Sequence, residues 1–106
     1  MNDCVFCRVI SGALPSNPVY QDDDIIVIPD LHPQAPVHLL VIPKTHISEF
    51  IEAPDEILTK MNVVIKRIIH DQRITLYRLV NNGKGAAVID HIHIHILGSI
   101  DKYRKL

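Results

Sequence analysis

The stretch IDHIHIHIL, Ile89 to Leu97, alternates histidine with isoleucine, and a period of two belongs to the β-strand. In an extended segment His91, His93 and His95 face one way while Ile92, Ile94 and Ile96 face the other. The isoleucines require an apolar layer behind them, so the chain must build a sheet with one buried face here. At a rise of about 3.3 Å per residue, neighbouring histidines stand about 6–7 Å apart and the outer pair about 13 Å apart. A zinc ion with ligands at about 2 Å could take at most two adjacent members of such a row. At least one ring therefore has another role. A merely solvated face would be served equally well by threonine, lysine or glutamate. Imidazole, with an ordinary pKa near 6.5, keeps a neutral base or nucleophile available at neutral pH. Rings so close also oppose each other's protonation.

The remaining chain offers one domain over residues 1–106, long enough to bury about two-thirds of its unfolded surface. Eleven Lys plus Arg against 12 Asp plus Glu give a formal charge of -1, which provides no basic field for nucleic acid or an anionic membrane. Apolar runs such as HLLVIP fall far short of the roughly 20 residues of a spanning helix, and the start MNDC lacks the basic region of a signal peptide. A soluble, cytoplasmic protein without membrane or nucleic-acid partners is the expectation. Cys4 and Cys7 form a C-x-x-C pair, which in a reducing compartment reads as a metal half-site, a redox pair or two packed thiols more readily than as a structural disulfide.

Periodicity predicts an α+β fold: an antiparallel β-sheet meander with one short N-terminal helix and one long central helix. Val5, Phe6, Val9 and Ile10 share a helical face, with Asp3 as candidate N-cap and Gly12 as stop. PVYQDDDIIVIPD reads as two strands around an acidic turn at Asp22–Asp24, and PVHLLVIP as a third strand ended by Pro43. After Pro54, with Asp55 and Glu56 in a first turn, Ile57, Leu58, Met61, Val64, Ile65, Ile68 and Ile69 recur at helical spacing to about His70. TLYRLV then reads as a strand, NNGKG as a turn and the His-Ile alternation as the last strand. NNGKG is not a phosphate-binding P-loop, because it lacks G-x-x-x-x-G-K-[ST].

HIHIHIL matches at all seven positions the His-φ-His-φ-His-φ-φ signature of the histidine-triad nucleotide-binding proteins, and the chain resembles the Hint-like branch of that superfamily. CVFCRVISGALPSNPVYQDDD, DLHPQAPVHLLVIPKTHISEF and VNNG resemble further blocks of the family in the same order. The resemblance implies a HIT-like fold, a homodimer joined through the main helix and a strand, and a purine nucleotide or nucleotidyl conjugate as ligand. It implies hydrolysis of nucleoside phosphoramidates or related conjugates, with His93 as nucleophile and His95 and His38 on the phosphate oxygens. No cofactor is required for that chemistry. By the same resemblance Asp30 binds ribose hydroxyls, Phe6, Val9, Leu14 and Ile28 form the base slot, and Asn81 lies near the phosphate. Read without it, Asp30 and Asn81 are turn residues and the four apolar ones are core. Cys4 and Cys7, with His46 and His91 by position, would make a Cys₂His₂ set for a structural zinc. The chain departs from the family at Ala87 and Val88, where active members usually carry glutamine and a polar residue. A nucleotide-binding or zinc-binding scaffold or regulatory protein with little catalysis is the competing expectation.

Overall fold

The computed structural model describes residues 4–105, and the sheet in it packs apolar side chains on both faces: α2 covers the larger cluster, and the other face carries the histidines beside a smaller cluster under α1. Helix α1 spans Val5–Ser11. Its N-cap is Cys4, whose Sγ accepts from the Cys7 N–H, and Gly12 ends it at φ 85°, a left-handed position suited to glycine. Asp3, the expected cap, lies outside the described residues. Strands β1 (Tyr20–Gln21), β2 (Ile25–Pro29) and β3 (Val37–Pro43) form the expected meander, and Asp22 closes its first turn by accepting from the Asp24 and Ile25 N–H groups. Helix α2 spans Asp55–Asp71, beginning after Pro54 and burying Met61, Val64, Ile65 and Ile68. The chain then forms β4 (Arg78–Val80) and β5 (Ile94–Gly98), and β5 inserts between β3 and β4 to give the antiparallel order β1-β2-β3-β5-β4.

Register explains the division. Leu39 pairs with Ile96 and Val41 with Ile94, so these side chains share the face that α2 covers, together with Ile25 and Val27. Leu40 pairs with His95 and His38 with Leu97 on the opposite face, where Ile26, Ile28 and Ile42 pack under Phe6 of α1. The period-two reading of the triad is thus right about faces. It is too generous about hydrogen bonding. The strand begins at Ile94, and ahead of it the Ile92 N–H donates to Ile47 O at 2.7 Å, outside the ladder. Ile92 accordingly packs with Ile47 and Ala53 in a separate small cluster.

Two other expectations change. TLYRLV is paired only over Arg78–Val80, because Leu76 adopts φ 50° and turns the chain; Thr75 and Leu76 instead accept from the Ser99 and Ile100 N–H groups. NNGKG is not a two-strand hairpin turn. It opens a connection over residues 81–93, bent at Gly83–Ala87 by bonds from the Ala86 and Ala87 N–H groups to Gly83 O.

Candidate active site and metal centre

On the open face the imidazoles are ordered by a chain of hydrogen bonds that assigns each ring its tautomer. The Gln34 backbone N–H donates to His38 Nδ1 at 3.0 Å, so the His38 proton sits on Nε2. That Nε2–H donates to His95 Nδ1 at 2.8 Å, which leaves the His95 proton on Nε2. His93 Nδ1–H donates to the His91 carbonyl at 2.8 Å, which leaves the His93 Nε2 lone pair available. The His93 and His95 rings lie 5.0 Å apart, and the edge of Phe6 packs on His93 at 4.9 Å. An available ring lone pair on His93 and a donating N–H on His95 are thus carried by neighbouring imidazoles, a pairing chemically able to serve attack on a centre that accumulates negative charge. Burial holds His38 and His95 below the ordinary histidine range. Arg104 adds to this at His38, and the neighbouring His93 and His38 add to it at His95, while Asp30 opposes it at both.

Asp30 forms a local turn and also faces His38. Its Oδ1 accepts the His32 N–H at 2.8 Å in a local turn, while Oδ2 lies 3.4 Å from His38 Nε2. These groups line a cleft of about 740 Å³, within the usual range for small-ligand sites. Phe6, Val9 and Ile28 form its apolar side with Leu40 and Ile89, and Val88, fully exposed at 99%, stands at its rim.

Behind His93 lies a second cluster. Sγ of Cys4 and Cys7 and Nδ1 of His46 and His91 all fall within 4.8 Å of one another. His91 Nδ1 is 3.3 Å from Cys4 Sγ and 3.5 Å from Cys7 Sγ, and His46 Nδ1 is 3.2 Å from Cys7 Sγ. Tetrahedral zinc with bonds of about 2.0–2.3 Å would separate its ligand atoms by roughly 3.3–3.8 Å, close to this spacing. Fully buried His91 donates Nε2–H to Pro43 O at 2.7 Å, so its Nδ1 presents a lone pair to the sulfurs. A backbone carbonyl on the distal nitrogen is the usual support of a metal-bound imidazole. The donor set fits the metal.

Residues 11–101 match the family model described as the HIT domain. The chain belongs to the HIT domain family. This HIT domain is 35% identical over 105 residues to Protein HitA of Neisseria gonorrhoeae, covering 93% of the chain and 98% of that protein. It is 38% identical over 105 residues to Adenylylsulfatase HINT3 of Arabidopsis thaliana, covering 91% of the chain and 52% of that larger protein. The solved structure of a HIT family hydrolase from Clostridium thermocellum superposes with a TM-score of 0.90 at 37% identity, covering all of this chain and 98% of that one. Among the described residues, no helix is long and apolar enough to cross a membrane.

Of the residues expected from sequence, the fold gathers His93, His95, His38, Asp30, Phe6, Val9 and Ile28 at the cleft, and Cys4, Cys7, His46 and His91 behind it. Leu14 and Asn81 are not among the cleft's lining. Leu14 is half-buried and donates its N–H to Arg8 O. Asn81 lines a smaller groove beside Leu97, its Oδ1 buried without a hydrogen-bond partner, and Asn82 lines the main cleft instead. Strand period would have pointed to Asn82, since Val80 pairs opposite His95 and the residue two further on returns to that side. Ser16, Asn17, His32 and Gln34 also line the cleft and carry no sequence signal of their own. All four come from loops.

Proposed function

We propose that this HIT domain hydrolyses purine nucleoside phosphoramidates or related nucleotidyl conjugates through a nucleotidyl-histidine intermediate on His93. The carrying observation is the hydrogen-bond chain: His93 Nδ1–H is tied to the His91 carbonyl, so Nε2 is free to attack, and His95 Nε2–H stands next to it. In the first step His93 Nε2 forms a bond to the α-phosphorus, the bond from phosphorus to the leaving nitrogen breaks, and the departing amine takes a proton from solvent, which the water of the second step returns. In the second, water attacks the same phosphorus, the P–Nε2 bond breaks, and the nucleoside monophosphate leaves with His93 regenerated. His95 and His38 stabilise charge on the phosphate oxygens. Asp30 Oδ2 accepts from the ribose hydroxyls, and Phe6, Val9 and Ile28 hold the base. The similarity to an adenylylsulfatase supports nucleotidyl conjugates as the substrate class.

Cys4, Cys7, His46 and His91 would hold zinc in a structural role, supplying cross-linking between α1 and the triad and no part of the reaction. The family homodimer would use α2 and the edge strand β4, whose Val63 and Leu79 side chains are exposed. Sedimentation checks that stoichiometry.

A second reading, a nucleotide-binding protein with little catalysis, is favoured by one observation. Ala87 and Val88, at the positions where the family carries glutamine and a polar residue, offer no side-chain donor, and Val88 stands at the cleft's rim. Incubation with a fluorogenic AMP phosphoramidate decides: turnover that disappears in His93→Ala supports the hydrolase, and nucleotide binding without turnover supports the second reading.

A further inference from the structure

The segment after β5 forms a strap that runs beside the chain leading into β4 and reaches the loop before β3 through the Arg104 side chain. Ser99 and Ile100 donate their N–H groups to Thr75 O and Leu76 O at 2.9 and 3.0 Å, and Ile100 is buried. Asp101 then turns the chain, its Oδ1 accepting from the Tyr103 N–H and its carbonyl from the Arg104 N–H, both at 2.9 Å. Arg78 on β4 donates Nη2 to Arg104 O at 2.5 Å, and Arg104 in turn donates Nη1 to Gln34 O at 2.8 Å. Gln34 is the residue whose N–H occupies His38 Nδ1. Register places Arg78 and His38 on the same face, since each pairs with Leu97 from opposite sides.

We propose that Arg104 is a positioning residue for the His38–His95 pair: anchored from behind by Arg78, it fixes Gln34, and Gln34 fixes the tautomer of His38. An isolated imidazole has two neutral tautomers, and the hydrogen bonds it meets select one. With Gln34 displaced, His38 is able to carry its proton on Nδ1. It then no longer donates to His95 Nδ1, and the direction of the His95 Nε2–H is no longer enforced. The guanidinium also acts through its charge, opposing protonation of His38, as burial does and as Asp30 does not. The groups facing His38 are Asp30 beyond β2, His95 on β5 and Arg104 on the strap, with His93 reached through His95. This role deepens the hydrolase reading and rests on it for its effect on rate, although its structural half stands without substrate.

The test is long-range ¹⁵N–¹H correlation of the histidine rings in the ligand-free full chain, followed through a pH titration, beside kcat and KM. In the wild type His38 shows the Nε2–H pattern. In Arg104→Ala an Nδ1–H population is expected at His38, with its titration midpoint moved upward because a nearby cation is gone. kcat should fall roughly three- to tenfold with KM little changed. Arg104→Lys keeps the charge and a donor and should recover most of both effects, and Arg78→Ala should shift the tautomer in the same direction. An unchanged His38 pattern and midpoint in Arg104→Ala overturns the proposal. A rise in KM alone with unchanged spectra does so too, since it makes Arg104 a direct ligand contact. If the wild type itself shows no turnover, the hydrolase reading fails while the spectra still decide the role of the strap.

Discussion

Ile96 and His95 are neighbours with opposite duties, and substitution should separate them. Ile96 is fully buried against α2, so Ile96→Ala should cost about 2–5 kcal/mol in urea unfolding. His93 lies on the other face, so His93→Gly should still fold and bind nucleotide while losing turnover. At Ala87 the missing donor concerns charge that develops only in the transition state. Such a donor is worth about 10²–10³ in rate, so Ala87→Gln should raise kcat at least tenfold with little effect on KM. The histidines also set an acid limit. His38 and His95 have folded values pushed below the ordinary 6.5, chiefly by burial, so the unfolded chain binds protons more readily. Their contribution to stability is complete above about pH 6.5 and is lost as pH falls through that value toward the folded ones. Thermal unfolding should show this decline, and replacing His38 with glutamine should reduce it. The triad and the Cys pair were legible because residue type and spacing carry them. Gln34, Asn82 and Arg104 were not, because they act through a backbone N–H, a loop bend and a contact 70 residues away in sequence.

Among the elements, α1, α2, β2 and β3 follow their sequence patterns, the helices through one apolar face at helical spacing and the two strands through continuous apolar runs buried on both faces of the sheet. The stretch from Thr75 to His93 does not, because its backbone is satisfied by distant partners, Ser99, Ile100 and Ile47, that no local pattern announces. Close approach at β5 gives a separate check. A Cβ on Gly98 would meet Ile74 Cγ2 at 2.6 Å and Val37 Cβ at 2.9 Å. Neither neighbour yields without disturbing the core, so Gly98→Ala should lower the melting temperature measurably. At α1 the helix cap and a donor of the proposed zinc site coincide in Cys4. Chelation should therefore lower the melting temperature, Cys4→Ser should mimic the loss, and metal analysis of purified protein should find zinc. Protein that contains no zinc, and gains no stability from it, would reduce the cluster to packed thiols.

For the molecule as a whole, one sheet carries two layers: α2 covers the face of Ile25, Val27 and Ile96, and α1, the loop around Gln34 and the C-terminal segment arrange the other, where the histidines stand beside Ile26, Ile28 and Ile42. His91 joins the two clusters on the open face, its ring among the sulfurs and its carbonyl accepting from His93. In the proposed reaction His93 Nε2 is the attacking atom. Intact-mass spectrometry of protein quenched during turnover of an AMP phosphoramidate tests this most directly, with peptide mapping to locate any adduct. The expected result is one nucleotidyl increment on the wild type, mapped to His93 and missing from His93→Gly. An adduct that persists in His93→Gly, or one that maps to another residue, would contradict it.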